Sequence, residues 1–226
     1  MVRELVVQPK NSIYLCSPKR VEGVNSLPMI TFSRLLDSIN LEPYDTLLFT
    51  SKQALYYTNE ISSDWKNKQI LAVGAQTAKT AKELGAKDIY YPKEFYGLVL
   101  AKDILERFSN AKILYIRPKV VSFDSKSFLS SNNIAIDEAI LYETTCVQHK
   151  EKKLPKDAII IFTSPSTIEC FFKNFQWQES YRAVVIGKST LAKLPDGVDA
   201  AVAKEPTITS CIKRAHDLEN FNKKSP

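Results

Sequence analysis

The run LLFTSKQALYY at residues 47–57 is an apolar stretch that halts at a threonine and a serine, then resumes in helical rhythm. The chain repeats this in IIFTSPSTIECFF at 160–172. Gly74, in ILAVGAQTAKTAKELG, follows Ser51 by 23 residues, and Gly187, in AVVIGKSTLAKLPDG, follows Ser164 by 23. A threonine stands three residues past each glycine, Thr77 and Thr190, and a further glycine closes each segment, Gly85 or Gly197. A shift of 113 residues superposes Thr50, Ser51, Gly74 and Thr77 on Thr163, Ser164, Gly187 and Thr190. Five apolar positions before them agree as well, which means a duplicated unit.

Each unit alternates short β-rich runs with helical patterns. The first predicts strands at 46–50, 69–73, 87–91 and 112–117 and helices at 52–60, 76–84, 96–108 and 123–131. The second predicts strands at 157–163, 182–186 and 199–203 and helices at 166–174, 189–194 and 208–219. Near-continuous apolar strands such as AIIIF and AVVI, separated by helices, are parallel strands covered on both faces. Both units are therefore expected to be α/β and doubly wound. An extra strand, SIYLC, precedes the first repeat, while the second repeat is one strand short. Returning residues 12–16 to the second sheet makes one domain discontinuous, 1–28 plus 146–226, with 34–138 inserted as the other. The chain then crosses twice, at 29–33 (overlapping PMITF, 28–32) and at 139–145 (AILYETT), and these extended segments can pair as a two-stranded β-ladder hinge.

In open parallel sheets, ligands bind beyond the carboxyl ends of the strands, where helix N-termini present unpaired N–H groups. Thr50, Ser51, Thr163 and Ser164 fall there, as do Gly74, Thr77, Gly187 and Thr190. Glycine admits a close approach of ligand to backbone, and a serine or threonine can cap a helix or bond a ligand. The plainer reading makes Ser51, Ser164 and Ser166 N-caps, Pro165 a first-turn proline, and Ser166–Glu169 a capping box. Four helix mouths in two matched units favour an anion-binding site instead.

Composition excludes several classes. No segment approaches the ~20 consecutive apolar residues of a membrane helix, and residues 1–15 lack a signal-peptide layout, so the chain reads as cytoplasmic with no membrane partner. Cys16, Cys146, Cys170 and Cys211 form no CxxC pair, and only His149 and His216 accompany them. That leaves no zinc cluster and no disulfide framework, and the four read as buried or half-buried free thiols. The net charge of +6 is dispersed. It suits a small polyanion better than nucleic acid, since no nucleic-acid-binding motif is present. Neither GxGxxG nor a Walker loop argues for a nucleotide.

Taken in order, the two Phe-Thr-Ser strands, AVGAQTAKTAKELG, ILYIRPK at 113–119, LYETT, FTSPSTIECF, VIGKSTLAKL and AKEPTITSCI resemble the uroporphyrinogen-III synthase family over nearly the whole chain. The resemblance implies two α/β domains joined by a two-stranded ladder, with the active site in the cleft between them. It implies cyclisation of linear hydroxymethylbilane to uroporphyrinogen III with inversion of ring D, without cofactor or metal; the chain is expected to act as a monomer. Two departures stand out. SPKRVEGVNSLPMI is too short for the helix the family carries after its first strand, and the arginine usual there is missing, with Lys19 or Arg20 as stand-ins. The usual Asn-Ala-Val after the first Phe-Thr-Ser reads Gln53-Ala54-Leu55.

The implied substrate carries eight carboxylates on a flexible chain of four pyrroles. Loss of its terminal hydroxyl leaves an azafulvene cation, which ring D attacks to give a spiro intermediate. The protein's task is then to hold the conformation that favours inverted closure. Binding at Thr50, Ser51, Gly74, Thr77, Ser164, Ser166, Gly187 and Thr190 fits that task. Tyr142, in the crossover strand, is the candidate acid that protonates or orients the departing hydroxyl; otherwise it packs the hinge. The rival reading is a two-domain anion-binding module, a solute carrier or sensor without enzymatic activity.

Overall fold

A computed structural model describes residues 12–94, 97–150 and 152–222 of the chain. Residues 1–11, the expected start of the first domain, lie outside the described residues, as does Tyr96 at the head of the helix expected over 96–108. The chain divides into two compact units, one built from the chain up to Thr31 and from Thr145 onward, the other from Phe32–Thr144.

The first unit is built on β1 (Ile13–Cys16), β2 (Asn25–Ser26), β9 (Ile159–Phe162), β10 (Arg182–Val185) and β11 (Ala200–Val202), in the order β11-β10-β9-β1-β2. Every neighbouring pair is parallel. All four residues of β9, Ile-Ile-Ile-Phe, are buried, which a two-residue alternation cannot achieve unless both faces are covered. Helix α7 (Ile208–Asn222) covers one face, where Cys211 and Ala215 join Ile13, Leu15, Ile159, Ile161 and Val184. Helix α5 (Pro165–Asn174) carries Phe171 against Phe162, ring centroids 5.3 Å apart. Burying a side chain of this size stabilises by roughly 1.5–3 kcal/mol.

In the second unit the order is β3-β8-β7-β4-β5-β6, with β3 (Ile30–Arg34), β4 (Thr46–Phe49), β5 (Gln69–Ala72), β6 (Asp88–Tyr90), β7 (Ile113–Pro118) and β8 (Ile136–Cys146). From β8 to β6 the strands are parallel. One core packs Leu47, Phe49, Ile116 and Leu141 with Ala54 and Leu55 of α1 (Lys52–Ile61) and Ala81 of α2 (Ala75–Glu83). A second packs the opposite face, Leu48, Leu71 and Tyr115, with Leu100, Ala101 and Ile104 of α3 (Gly97–Arg107) and Leu129 of α4 (Ser125–Ser131). Helix α2 ends as the glycine predicts: Gly85 has φ 103°, its N–H donates to Lys82 O, and Ala86 N–H donates to Ala81 O. That pattern needs a left-handed residue after the cap.

Strands β3 and β8 are the two crossings. Leu35 N–H donates to Leu141 O at 2.8 Å and Val147 N–H to Met29 O at 2.9 Å, a spacing that makes them antiparallel. Strand β8 starts earlier than the expected crossing, at Ile136, because it first serves as a parallel neighbour of β7.

Other sequence expectations change. Residues 17–24 form turns and lead into β2, so the shortened segment carries an edge strand in place of a helix. The helix expected over 189–194 is a single turn, α6 (Lys188–Leu191). The free-thiol reading fails for two cysteines: Cys146 and Cys170 form a disulfide, with Cα atoms 5.2 Å apart. Sequence separation concealed it, because the chain leaves β8, forms β9 and returns along α5 beside the end of β8. Cys16 and Cys211 are buried free thiols. Among the described residues no helix is long and apolar enough to cross a membrane.

Candidate active site

The candidate residues of the second unit either follow β4 and β5, as Thr50, Ser51, Gly74 and Thr77 do, or lie within β7 and β8, as Tyr115 and Tyr142 do. Ser51 is the N-cap of α1: its backbone is extended, and its hydroxyl oxygen accepts from Ala54 N–H at 3.2 Å. The same oxygen accepts from the Tyr142 hydroxyl at 2.9 Å. With two donors already pointing at Oγ, the Ser51 hydroxyl hydrogen is left to donate outward, and Ser51 is half-buried rather than sealed. Tyr142 itself is 4% exposed, with Phe32 edge-on and Tyr57 tilted against its ring. Burial pushes its phenol above the ordinary tyrosine range, the Ser51 hydrogen bond opposing. The group therefore stays protonated at neutral pH and can polarise Ser51 as a neutral donor.

Beside this pair, the hydroxyls of Thr50 and Tyr115 lie 2.9 Å apart, and Tyr115 is also pushed upward by burial. On the neighbouring strand, Gly74 is the N-cap of α2 and supplies no side-chain cap. Thr77, in the first turn, is buried, and its hydroxyl makes no hydrogen bond among the described residues. The first-turn amide donors at that mouth therefore have no side-chain cap.

The first unit carries the matching arrangement at its own carboxyl edge. Ser164 caps α5 by accepting from Thr167 N–H at 3.4 Å, while Thr167 Oγ1 accepts from Ser164 N–H at 3.2 Å. The capping box is therefore Ser164–Thr167 rather than Ser166–Glu169, because Pro165 occupies the first helical position and fixes the cap one residue before it. Ser166 sits half-buried in the first turn, and Glu169 pairs instead with Lys193 at 3.7 Å. Thr163 Oγ1 donates to Cys16 O at 2.9 Å. Gly187 precedes the single-turn α6 without a side-chain cap, and Thr190 is 1% exposed. Lys19 and Arg20 follow β1 and are exposed.

The structure thus joins Ser51 to Tyr142 and sets Thr50 beside them. It sorts the mouths into two capped by serine and two left open by glycine. Sequence reasoning missed Tyr115 as the partner of Thr50, and Thr207, whose hydroxyl accepts from Ser210 N–H at the start of α7. Both lie in quoted segments, ILYIRPK and AKEPTITSCI, which was the available signal. Among the described residues no His, Cys, Asp or Glu group could hold a metal ion.

Residues 23–213 match the family model described as Uroporphyrinogen-III synthase HemD. The porphyrin biosynthesis protein HemD of Ruminiclostridium josui is 34% identical over 200 residues, covering 81% of this chain and 40% of that protein. A putative uroporphyrinogen-III synthase of Methanocaldococcus jannaschii is 29% identical over 158 residues, 64% of each. The chain therefore spans less than two thirds of the length of either relative. The crystal structure of uroporphyrinogen-III synthetase from Helicobacter pylori superposes with a TM-score of 0.74 at 24% identity, covering 91% of this chain and 98% of that one. A mutant uroporphyrinogen III synthase from the extremely thermophilic bacterium Thermus thermophilus gives 0.58 at 14% identity, with the same coverage. At these identities the likeness to the two structures is one of fold.

Proposed function

The chain belongs to the uroporphyrinogen-III synthase family, and from that premise we propose that it cyclises hydroxymethylbilane to uroporphyrinogen III, releasing water and inverting ring D. The observation that carries this reading is the Tyr142–Ser51 hydroxyl pair at the N-terminus of α1, flanked by the uncapped mouth at Gly74. Ser51 donates to the departing hydroxyl of ring A, and Tyr142 behind it strengthens that donation. Hydrogen bonds in series polarise one another. The proton that completes the released water is the one lost by the ring D carbon that closes the macrocycle, so the step is proton-neutral overall and calls for no paired carboxylates.

Substrate carboxylates are held by backbone N–H groups at the helix mouths, with Thr50, Thr77, Ser164, Ser166 and Thr190 adding hydroxyl donors. Each hydrogen bond to a charged carboxylate contributes about 1.5–3 kcal/mol and a helix end adds about 0.3–1. Four to six such contacts, less the cost of ordering a flexible tetrapyrrole, give on the order of −8 kcal/mol, or micromolar binding. This chemistry uses no cofactor and no metal. We place the protein in the cytoplasm as a monomer.

The deciding experiment supplies hydroxymethylbilane to the purified chain and identifies the uroporphyrinogen isomer after oxidation. The inverted isomer III is expected. Isomer I alone, at the rate of spontaneous closure, would leave an anion-binding module without activity as the surviving reading.

A further inference from the structure

We propose that the Arg117–Glu138 ion pair is a positioning device that sets Tyr142 against Ser51; this rests on the reading that Tyr142 and Ser51 serve the reaction. Strand alternation breaks at this point of β8. Successive side chains on a strand point to opposite faces, yet Leu141 and Tyr142 are both buried and both join the core on the α1 side. The pairing of β7 with β8 shows why. Ile116 lies opposite Ala139 and Arg117 opposite Ile140, but Pro118 lies opposite Tyr142, so Leu141 has no partner on β7. One extra residue on β8 makes a bulge, and a bulge turns the following side chain onto a face it would otherwise leave. Without it Tyr142 would point away from α1, and its hydroxyl would not reach Ser51.

A bulge needs to be held, because it leaves backbone groups off the ladder. Here Lys119 N–H donates to Tyr142 O at 2.8 Å, pinning the chain after β7 to the tyrosine's own carbonyl. Arg117 Nη1 donates to Pro118 O at 2.9 Å and Lys119 O at 3.1 Å, folding those two residues back over the bulge. Its Nε donates to Glu138 Oε1, and Lys126 Nζ stands 3.6 Å from the other carboxylate oxygen. The two partners are 14% and 16% exposed, so the pair is largely withdrawn from water. An arginine is suited to this position because its planar fork serves a carboxylate and two carbonyls at once, which a lysine ammonium does not do.

The test compares the Arg117→Met/Glu138→Leu double variant with wild type, alone and in a Tyr142→Phe background. Removing both charges together avoids leaving one buried and unpaired. In the wild-type background kcat should fall about tenfold with KM within about twofold, and in the Tyr142→Phe background it should fall no further. In protein labelled with ¹³C-tyrosine, the ring resonance assigned to Tyr142 should also shift. An equal fall in both backgrounds, or an unmoved ring resonance, overturns the proposal. Should the double variant not fold, Arg117→Lys keeps the charge and loses the fork. It should cost about threefold in kcat, again only while Tyr142 is present, and an equal loss in both backgrounds overturns the proposal there too. A shifted resonance with full kcat in Tyr142→Phe would keep the positioning role and sink the catalytic reading of Tyr142.

Discussion

Ser51 and Tyr142 are 91 residues apart and share a 2.9 Å hydrogen bond, and that contact sets what their mutants should do. If Tyr142 acts through Ser51, the two are one unit. Tyr142→Phe should lower kcat about 100-fold, Ser51→Ala by a similar factor, and the pair together little more than either. Losses that multiply in the double variant would show that the two hydroxyls work separately. The pH dependence follows from the raised tyrosine. The phenol works protonated, and burial raises its pKa above the ordinary 10.0, so the active form is fully present below that pH and lost only above it. The profile of kcat should show no descending limb below pH 10.0 that Tyr142→Phe removes; such a limb would mean an acid of lower pKa. The segment AILYETT did point to Tyr142. Its partner was illegible, since a hydrogen bond across the carboxyl edge of a sheet leaves no trace in local spacing. Arg117 was legible only as a charge ending an apolar strand.

At the scale of elements, the parallel sheets and their helices were legible because a strand covered on both faces must be apolar throughout, and few other structures demand that. Features that depend on one or two residues were not legible. Strand β2 is two residues long, the bulge is one extra residue, and the capping box shifted by two positions because Pro165 takes the first turn. The open mouth at Gly187 permits a direct test of anion binding. Its φ of −179° is extended backbone that any residue adopts, and an added Cβ meets nothing within 4 Å. Gly187→Ser should therefore cap the mouth as Ser164 caps α5, stabilising by about a few tenths of a kcal/mol. The same cap competes with a carboxylate for the amide donors, so KM should rise roughly threefold to tenfold with kcat little changed. A gain in melting temperature with unaltered KM would remove this mouth from the binding site. Thr77→Ala and Thr190→Ala, which leave the amides untouched, should cost about threefold to thirtyfold in kcat/KM through loss of one hydroxyl contact each.

Across the whole molecule, the two units differ in how the chain closes them. The second is continuous from Phe32–Thr144, whereas the first must bring Ile13–Cys16 beside Ile159–Phe162 with the entire second unit intervening. Long-range pairings of this kind are entropically costly to close. The Cys146–Cys170 bond acts on that unit alone, tying the end of β8 to α5 across a separation of 24 residues. Noncovalent contacts reinforce the same junction: Asn174 Nδ2 donates to Val147 O at 3.0 Å, its Oδ1 accepts from His149 N–H at 2.8 Å, and the His149 ring lies over Phe175. Because these contacts survive reduction, a dithiol should not unfold the protein; it should remove the restraint on the unfolded chain. For a loop of this length that restraint is worth about 3 kcal/mol. Hydrogen exchange should register the loss as faster exchange in β1, β9 and β10, with β4, β5 and β7 unchanged, and Cys146→Ser should reproduce it without reductant. Equal loss of protection in both sheets would mean instead that the two units unfold as one cooperative body, with the bond stabilising the whole chain.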